Sequence, residues 1–333
     1  MQKRNFGSTG REVAVIGQGT WNIEHATRSI TVAALRRGLD LGMTHIDCAE
    51  MYGSGAAEAL VGQAIAGRRE EIFLVSKVLP THASHRGVIA ACDASLARLK
   101  TDRLDCYLLH WRGAHPLEDT IAGFEHLRQQ GKILVWGVSN FDVPDLEEAQ
   151  RIAGAGHPAC NQVLYHLEER AIENAVLPWC ERHGVAVVGY SPFGNTGDLP
   201  SARTSRGRVL QEIAEAHGAT VHQIALRFLV RESSVFTIPK ASNPEHAAEN
   251  ARASDLQLSN AELERIAAAF PLERGRGALP MLSFATCSSK SPSLLCSSLQ
   301  PLPAPSQDAH LTNQPATPHP RARSRAPRKN SNA

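Results

Sequence analysis

The chain has 333 residues, 42% of them hydrophobic and 20% charged, with a formal net charge of +2. That is the composition of a globular protein, and no apolar run is long enough to span a bilayer, which excludes a helical membrane protein. Seven scattered cysteines with no Cys-x-x-Cys pair speak against a disulfide framework and a zinc site.

The first residues carry charge but no apolar segment follows them, so the expected location is cytoplasmic. Two short alternating pieces, Lys3–Phe6 and Val13–Ile16, flank Gly7-Ser8-Thr9-Gly10 and read as a β-hairpin fit to plug one end of a barrel. Next comes a short extended piece, Gly17–Trp21, and a helical run, Ile30–Leu41, that stops at Gly42. The apolar strand that follows ends at Asp47, with Tyr52 in the loop beyond.

From there helix and strand alternate. Helix Ala56–Ala66 precedes strand Ile72–Ser76, helix Arg86–Arg98 precedes strand Leu104–Leu109, and helix Leu117–Gln130 precedes strand Ile133–Val138. Helix Val143–Arg151, strand Cys160–Val163, helix Ile172–His183 and strand Val185–Val188 continue the pattern. After the polar loop Ser191–Arg206 come helices Val209–Ala216 and Val221–Arg231, strand Val235–Ile238 and helix Pro244–Ala251. The strands are short and rich in Val, Ile and Leu, as expected of a parallel sheet buried on both faces. Eight of them, each followed by helix over about 235 residues, predict an α/β fold of the (β/α)8 barrel type. Ser259 and Glu262 form a capping-box signature for an extra C-terminal helix, Asn260–Ala269. From Ser283 onward Ser and Pro dominate and six basic residues face the single acid Asp308. The expected organisation is therefore a barrel over 1–282 and a disordered basic tail over 283–333. The body is left mildly acidic, which argues against nucleic acid as its partner.

In such a barrel, chemistry collects at the C-terminal ends of the strands. Asp47, Tyr52, Lys77 and His110 all fall there, on three successive strands. Singly each has an ordinary explanation: a helix-capping Asp, a packing Tyr, an ion-pairing Lys, a core His. Together they place four titratable groups at one side of the barrel mouth. A free tyrosine titrates near pH ~10, and a neighbouring ammonium favours its phenolate. Lys77 is expected to lower the pKa of Tyr52 in this way, with Asp47 holding Lys77 and His110 offering a hydrogen bond to the same substrate oxygen. That set suits addition of a nucleophile to a carbonyl, with Tyr52 protonating the oxygen. None of the four is a reductant, so a hydride would have to come from a nicotinamide.

The chain resembles the aldo/keto reductases, and most the compact bacterial members that reduce small aldehydes and methylglyoxal. The resemblance covers about residues 5–282 and rests on Asp47-Cys-Ala-Glu-Met-Tyr52-Gly with Glu58 and Val61-Gly62, Val75-Ser-Lys77, Leu108-Leu-His110-Trp111, Gly137-Val-Ser-Asn-Phe141, Asn161-Gln-Val-Leu-Tyr165, Tyr190-Ser-Pro192 and Ile238-Pro-Lys240. It implies that Asp47, Tyr52, Lys77 and His110 are the catalytic tetrad and that NADPH is the cofactor, with NADH possible. It further implies that Ser139, Asn140 and Gln162 hold the nicotinamide carboxamide, that Tyr190, followed by Ser191, stacks on its ring, and that the backbone of Gly19, Thr20 and Trp21 passes close by. Lys240, Ser242, Glu249 and Asn250 match the residues around the adenosine phosphate, where a helix start favours anions. His246 stands where many NADPH-dependent relatives carry an Arg; an imidazole stacks but brings no permanent charge, so preference for NADPH should be weaker. Trp21 and Trp111 are expected to wall a shallow pocket for a small carbonyl substrate together with Tyr52 and His110. The expected unit is a monomer without a metal. The same fold also serves as a redox-sensing, channel-associated β subunit; the complete tetrad disfavours that alternative.

Overall fold

The computed structural model describes residues 1–154, 157–194, 196–273 and 279–281. The tail expected from residue 283 lies outside them. Strands β1 (Lys3–Asn5) and β2 (Glu12–Ala14) pair antiparallel, with Arg4 opposite Val13, as the hairpin reading anticipates. The other strands form one parallel sheet in sequence order: β3 (Gln18–Gly19), β4 (His45–Asp47), β5 (Phe73–Val78), β6 (Leu104–Leu109), β7 (Ile133–Ser139), β8 (Cys160–Leu164), β9 (Ala186–Tyr190) and β10 (Val235–Thr237). Parallel bridges from Ile16 to Thr237 and from Gly19 to Lys240 join its two edges, so the eight strands close into a barrel. The helices are α1 (Arg28–Asp40), α2 (Ala56–Ala64), α3 (His85–Leu99), α4 (Leu117–Gln129), α5 (Val143–Ala153), α6 (Val176–His183), α7 (Ser205–Ala216), α8 (Val221–Leu229), α9 (Pro244–Arg252) and α10 (Asn260–Ala269).

Local chemistry accounts for the helix starts. Ser84, Thr204, Thr220 and Ser259 each accept a bond from a backbone N–H in the first turn of α3, α7, α8 and α10. The capping box read at Ser259 and Glu262 is present. Every residue of β5 and β6 is buried, which explains why these strands read as unbroken apolar runs rather than alternating ones. Val75, Cys106, Leu108 and Phe236 belong to the packing inside the barrel, while Leu74, Tyr107, Leu109 and Trp136 pack under the helices. Phe6, leaving the hairpin, meets Phe73 and Phe236 with ring centroids 4.8 and 5.1 Å apart and so closes the end where the strands begin.

Several element boundaries differ from expectation: β5 runs on through Lys77 to Val78, β9 to Tyr190, and α7 starts at Ser205, capped by Thr204, rather than at Val209. The first barrel strand is only Gln18–Gly19, shorter than Gly17–Trp21, because the chain turns directly after it, with the Ile23 N–H reaching back to the Thr20 carbonyl at 3.4 Å. The helix expected over Ile172–His183 is broken: a 3-10 turn covers Ala171–Asn174 and α6 starts only at Val176. Pro178 is the reason. A proline fits the first turn of a helix, whereas in a continuous helix its ring would strike the carbonyl one turn before it.

Candidate active site

Asp47 ends β4, Lys77 lies in β5, His110 directly follows β6, and Tyr52 opens a 3-10 turn beyond β4. All four are nine-tenths buried or more. The Lys77 Nζ donates to Asp47 Oδ1 at 2.5 Å, to the Cys48 carbonyl at 2.9 Å and to Tyr52 Oη at 3.2 Å, which uses its three protons. The second Asp47 oxygen accepts from Gln162 Nε2 at 2.7 Å, and the Asp47 carbonyl accepts from Thr20 Oγ1 at 2.8 Å. The ring of His110 meets that of Tyr52 edge-on, with centroids 5.7 Å apart, and Trp111 tilts against His110 at 4.9 Å. The tetrad read from the strand ends is thus one cluster.

Its electrostatics correct one expectation. The pKa of Tyr52 is not lowered: burial pushes it up to about 12, and the ammonium of Lys77 only partly offsets that. The phenol therefore stays protonated at neutral pH, a loaded acid rather than a ready base. Burial works against the charge of Lys77, but Asp47 and Tyr52 outweigh it and hold its pKa above the ordinary lysine value. Burial, aided by Lys77, keeps His110 well below the usual histidine range, so its imidazole is neutral and presents one N–H and one lone pair. A carbonyl oxygen set against Tyr52 and His110 would meet two neutral donors backed by one buried cation. That arrangement stabilises negative charge developing on oxygen and returns a proton to it.

A second set of side chains is wired to the first. Ser139 Oγ donates to the Gln162 carbonyl at 2.8 Å, and Asn140 Nδ2 donates to Ser139 Oγ and to the His110 carbonyl, both at 3.1 Å. Tyr190 Oη donates to Asn140 Oδ1 at 2.9 Å. Asn140 and Ser191 have left-handed backbones, with φ of 60° and 51°, which turns each chain sharply after its strand. Gly19 is bridged to Lys240, where the next group begins. There Asn243 caps α9 by accepting from the N–H of Glu245, and Ser242 Oγ is buried with no partner among the described residues. Asn250 is buried, Lys240 and His246 are exposed, and Glu249 is taken up by Thr220 Oγ1. Trp21 and Trp111 are half-buried. Among the described residues no cluster of His, Cys, Asp and Glu could hold a metal ion.

Sequence reasoning passed over Glu50, which lies between Asp47 and Tyr52. Its carboxylate accepts from the Leu79 N–H at 2.7 Å. An acid inside the same strand-end loop was the available signal.

The sequence model of the Aldo/keto reductase family matches residues 15–270. A relative named methylglyoxal reductase YeaE, from Escherichia coli, is 45% identical over 269 residues, covering 80% of this chain and 94% of that protein. Glyoxal reductase of Bacillus subtilis is 32% identical over 257 residues, covering 77% and 89%. Among solved structures, an aldo/keto reductase from Klebsiella pneumoniae in complex with NADP and acetate superposes with a TM-score of 0.80 at 43% identity, covering 85% of this chain and all of the other.

Proposed function

The chain belongs to the aldo/keto reductase family, and on that premise we propose that it reduces small aldehydes and 2-oxoaldehydes, methylglyoxal among them, to alcohols with NADPH as reductant. The observation that carries this reading is the state of Tyr52: a buried, protonated phenol 3.2 Å from a lysine ammonium, with no acceptor for its own proton among the described residues. The 45% identity to a methylglyoxal reductase supports the substrate class.

The residues present fit a dinucleotide. Ser242 Oγ is a buried hydroxyl with no partner among the described residues, beside the start of α9. Lys240, Ser242, Glu249 and Asn250 would hold the adenosine phosphate, His246 the adenine, Ser139, Asn140 and Gln162 the carboxamide, and Tyr190 with Ser191 and the Gly19–Trp21 backbone the nicotinamide end. Bound NADPH supplies a hydride. The protein's part is to fix the carbonyl oxygen between the Tyr52 O–H and an N–H of neutral His110, and to move the Tyr52 proton onto that oxygen as it becomes basic. The Lys77 ammonium then stabilises the phenolate left behind, and Asp47, held by Gln162, keeps Lys77 charged and aimed. All four groups come from one barrel, so a single chain is a complete unit. We assign the activity to residues 1–282.

Consumption of NADPH with methylglyoxal, glyoxal and an aryl aldehyde tests the reading, with NADH run alongside and with His246→Arg. We expect turnover of the 2-oxoaldehydes, and a ratio of NADPH to NADH activity that rises about ten-fold in the Arg variant. A parent that binds NADPH yet turns over none of the panel would overturn it.

A further inference from the structure

We propose that two carboxylates outside the catalytic set, Glu50 and Glu58, are positioning residues that fix the spacing of Tyr52 and Lys77 by tying the Tyr52 loop to β5 on both sides of Lys77. The proposal rests on the reductase reading above, in which that spacing governs proton transfer.

The loop that carries Tyr52 makes turn bonds of its own, from the Tyr52 N–H to the Ala49 carbonyl at 3.1 Å and from the Ser54 N–H to the Met51 carbonyl at 3.2 Å, but it contains a strained run. Gly53, Ser54 and Gly55 follow Tyr52 with φ of 55°, 52° and 91°, three consecutive left-handed residues, one of them not a glycine. Such a run is unfavourable for L-residues and persists only where the surroundings impose it. The ties come from either side. Before Tyr52, Glu50 accepts from the Leu79 N–H at 2.7 Å, faces His82 Nδ1 at 3.0 Å, and gives its own N–H to the Lys77 carbonyl at 3.3 Å. After Tyr52, Glu58 in α2 is fully buried and accepts from Ser76 Oγ and from Arg98 Nε, both at 2.6 Å. Arg98 in turn lies across Gly55, where an added Cβ would sit 2.5 Å from its Cδ.

In sequence Tyr52 falls between Glu50 and Glu58, and Lys77 falls between their partners Ser76 and Leu79. The two strings of residues are therefore laced together above and below the Tyr52–Lys77 contact. Neighbouring side chains of a strand point to opposite faces, so Ser76 faces the helices while Lys77 faces the barrel interior. Glu58 thus acts through the backbone of β5. Neither carboxylate is bonded to the Tyr52 hydroxyl or the Lys77 ammonium, which sets them apart from the catalytic groups. Were Glu58 and Arg98 only a stabilising buried pair, their loss would lower stability and leave turnover of the folded protein alone.

Glu50 is the cleaner probe, because it holds a backbone N–H and an exposed histidine, whereas Glu58 is fully buried against Arg98. Glu50→Ala removes the acceptor for Leu79, whereas Glu50→Gln keeps one. With methylglyoxal, kcat of Glu50→Ala should fall about ten-fold or more, since displacement by a fraction of an ångström is enough to misalign a proton transfer. KM for methylglyoxal and Kd for NADPH should stay within about two-fold, and Glu50→Gln should recover most of the loss. Glu58→Gln, which can satisfy only one of its two donors, should show the same split between kcat and KM. A crystal structure of Glu50→Ala should show Tyr52 Oη and Lys77 Nζ further apart than their present 3.2 Å. The proposal is overturned if Glu50→Ala keeps the parent kcat, or if its crystal structure keeps that distance. A parent that reduces no carbonyl compound would count against the reductase reading alone, and the distance in the variant would still decide this one.

Discussion

Tyr52 and Tyr165 are both buried phenols beside a cation, with Lys77 Nζ 3.2 Å from one hydroxyl and Arg231 Nη1 2.9 Å from the other. Burial pushes the pKa of both upward. What separates them is the fate of the phenolic proton. Tyr165 donates to Glu173 at 2.6 Å, and the same carboxylate takes Arg170 Nε and Nη2 at 2.8 and 2.7 Å and Arg231 Nη2 at 2.9 Å. Every group there is satisfied, and Arg170 also bonds the Phe270 carbonyl, so the cluster fastens the end of α10. Tyr52 accepts a bond and, among the described residues, gives none. A cation beside a phenol is therefore no mark of chemistry by itself. At Tyr52 it is joined by a proton that no described residue takes and by His110 next to the ring, whereas the Tyr107 hydroxyl, also without a partner among the described residues, has no cation bonded to it.

The largest expected effect comes from breaking the Tyr52 side at its cation. Lys77→Met leaves Asp47 buried without its partner and should cost about 3–5 kcal/mol of stability, together with a loss of turnover of about 10³-fold. Thermal melts and NADPH consumption read the two losses separately. Tyr165→Phe sharpens the contrast, because it should lower stability by about 1–2 kcal/mol through the bonds it withdraws from Glu173 and Arg231, with kcat close to that of the parent.

The two clusters should also fail at opposite ends of the pH scale. Burial alone would raise Glu173, but Arg170, Tyr165 and Arg231 outweigh it and hold its pKa at about 2. A carboxyl depressed on folding adds stability above its unfolded pKa, so this contribution is complete above pH 4.5 and is lost as pH falls toward about 2. Lys77 is raised from 10.5, so its contribution is complete below that pH and is lost only above it. Melting temperatures of the parent and Glu173→Gln should converge in acid and separate toward neutrality. The smallest effect is an absence of change. With His110 neutral throughout, kcat/KM should stay flat across the region near pH 6.5 where an ordinary histidine titrates.

Much of this was legible in the chain. The barrel shows in short Val-, Ile- and Leu-rich runs between helical patterns, because strands buried on both faces cannot alternate. Asp47, Lys77 and His110 show only as a set: each has an ordinary explanation, but three titratable residues at the ends of three successive apolar runs must meet at one side of the barrel mouth. The acidity of Tyr52 was misread for a physical reason: Lys77 can be seen in sequence, whereas the burial that outweighs it belongs to the assembled barrel. Contacts between distant segments were equally hidden. Tyr165 and Arg231 are 66 positions apart, and Gln162 reaches Asp47 across 115. Barrel closure from Ile16 to Thr237 joins two pieces that pattern reading finds, Val13–Ile16 and Val235–Ile238, but cannot pair across more than two hundred residues.

The central claim, that the uncommitted proton of Tyr52 is the one delivered to substrate, is tested most directly by comparing NADPH consumption with methylglyoxal in the parent, Tyr52→Phe and Tyr165→Phe. The account predicts that turnover falls by about 10³-fold in Tyr52→Phe with its fold and NADPH affinity intact, while Tyr165→Phe keeps the parent rate. Equal rates in the parent and Tyr52→Phe would contradict it.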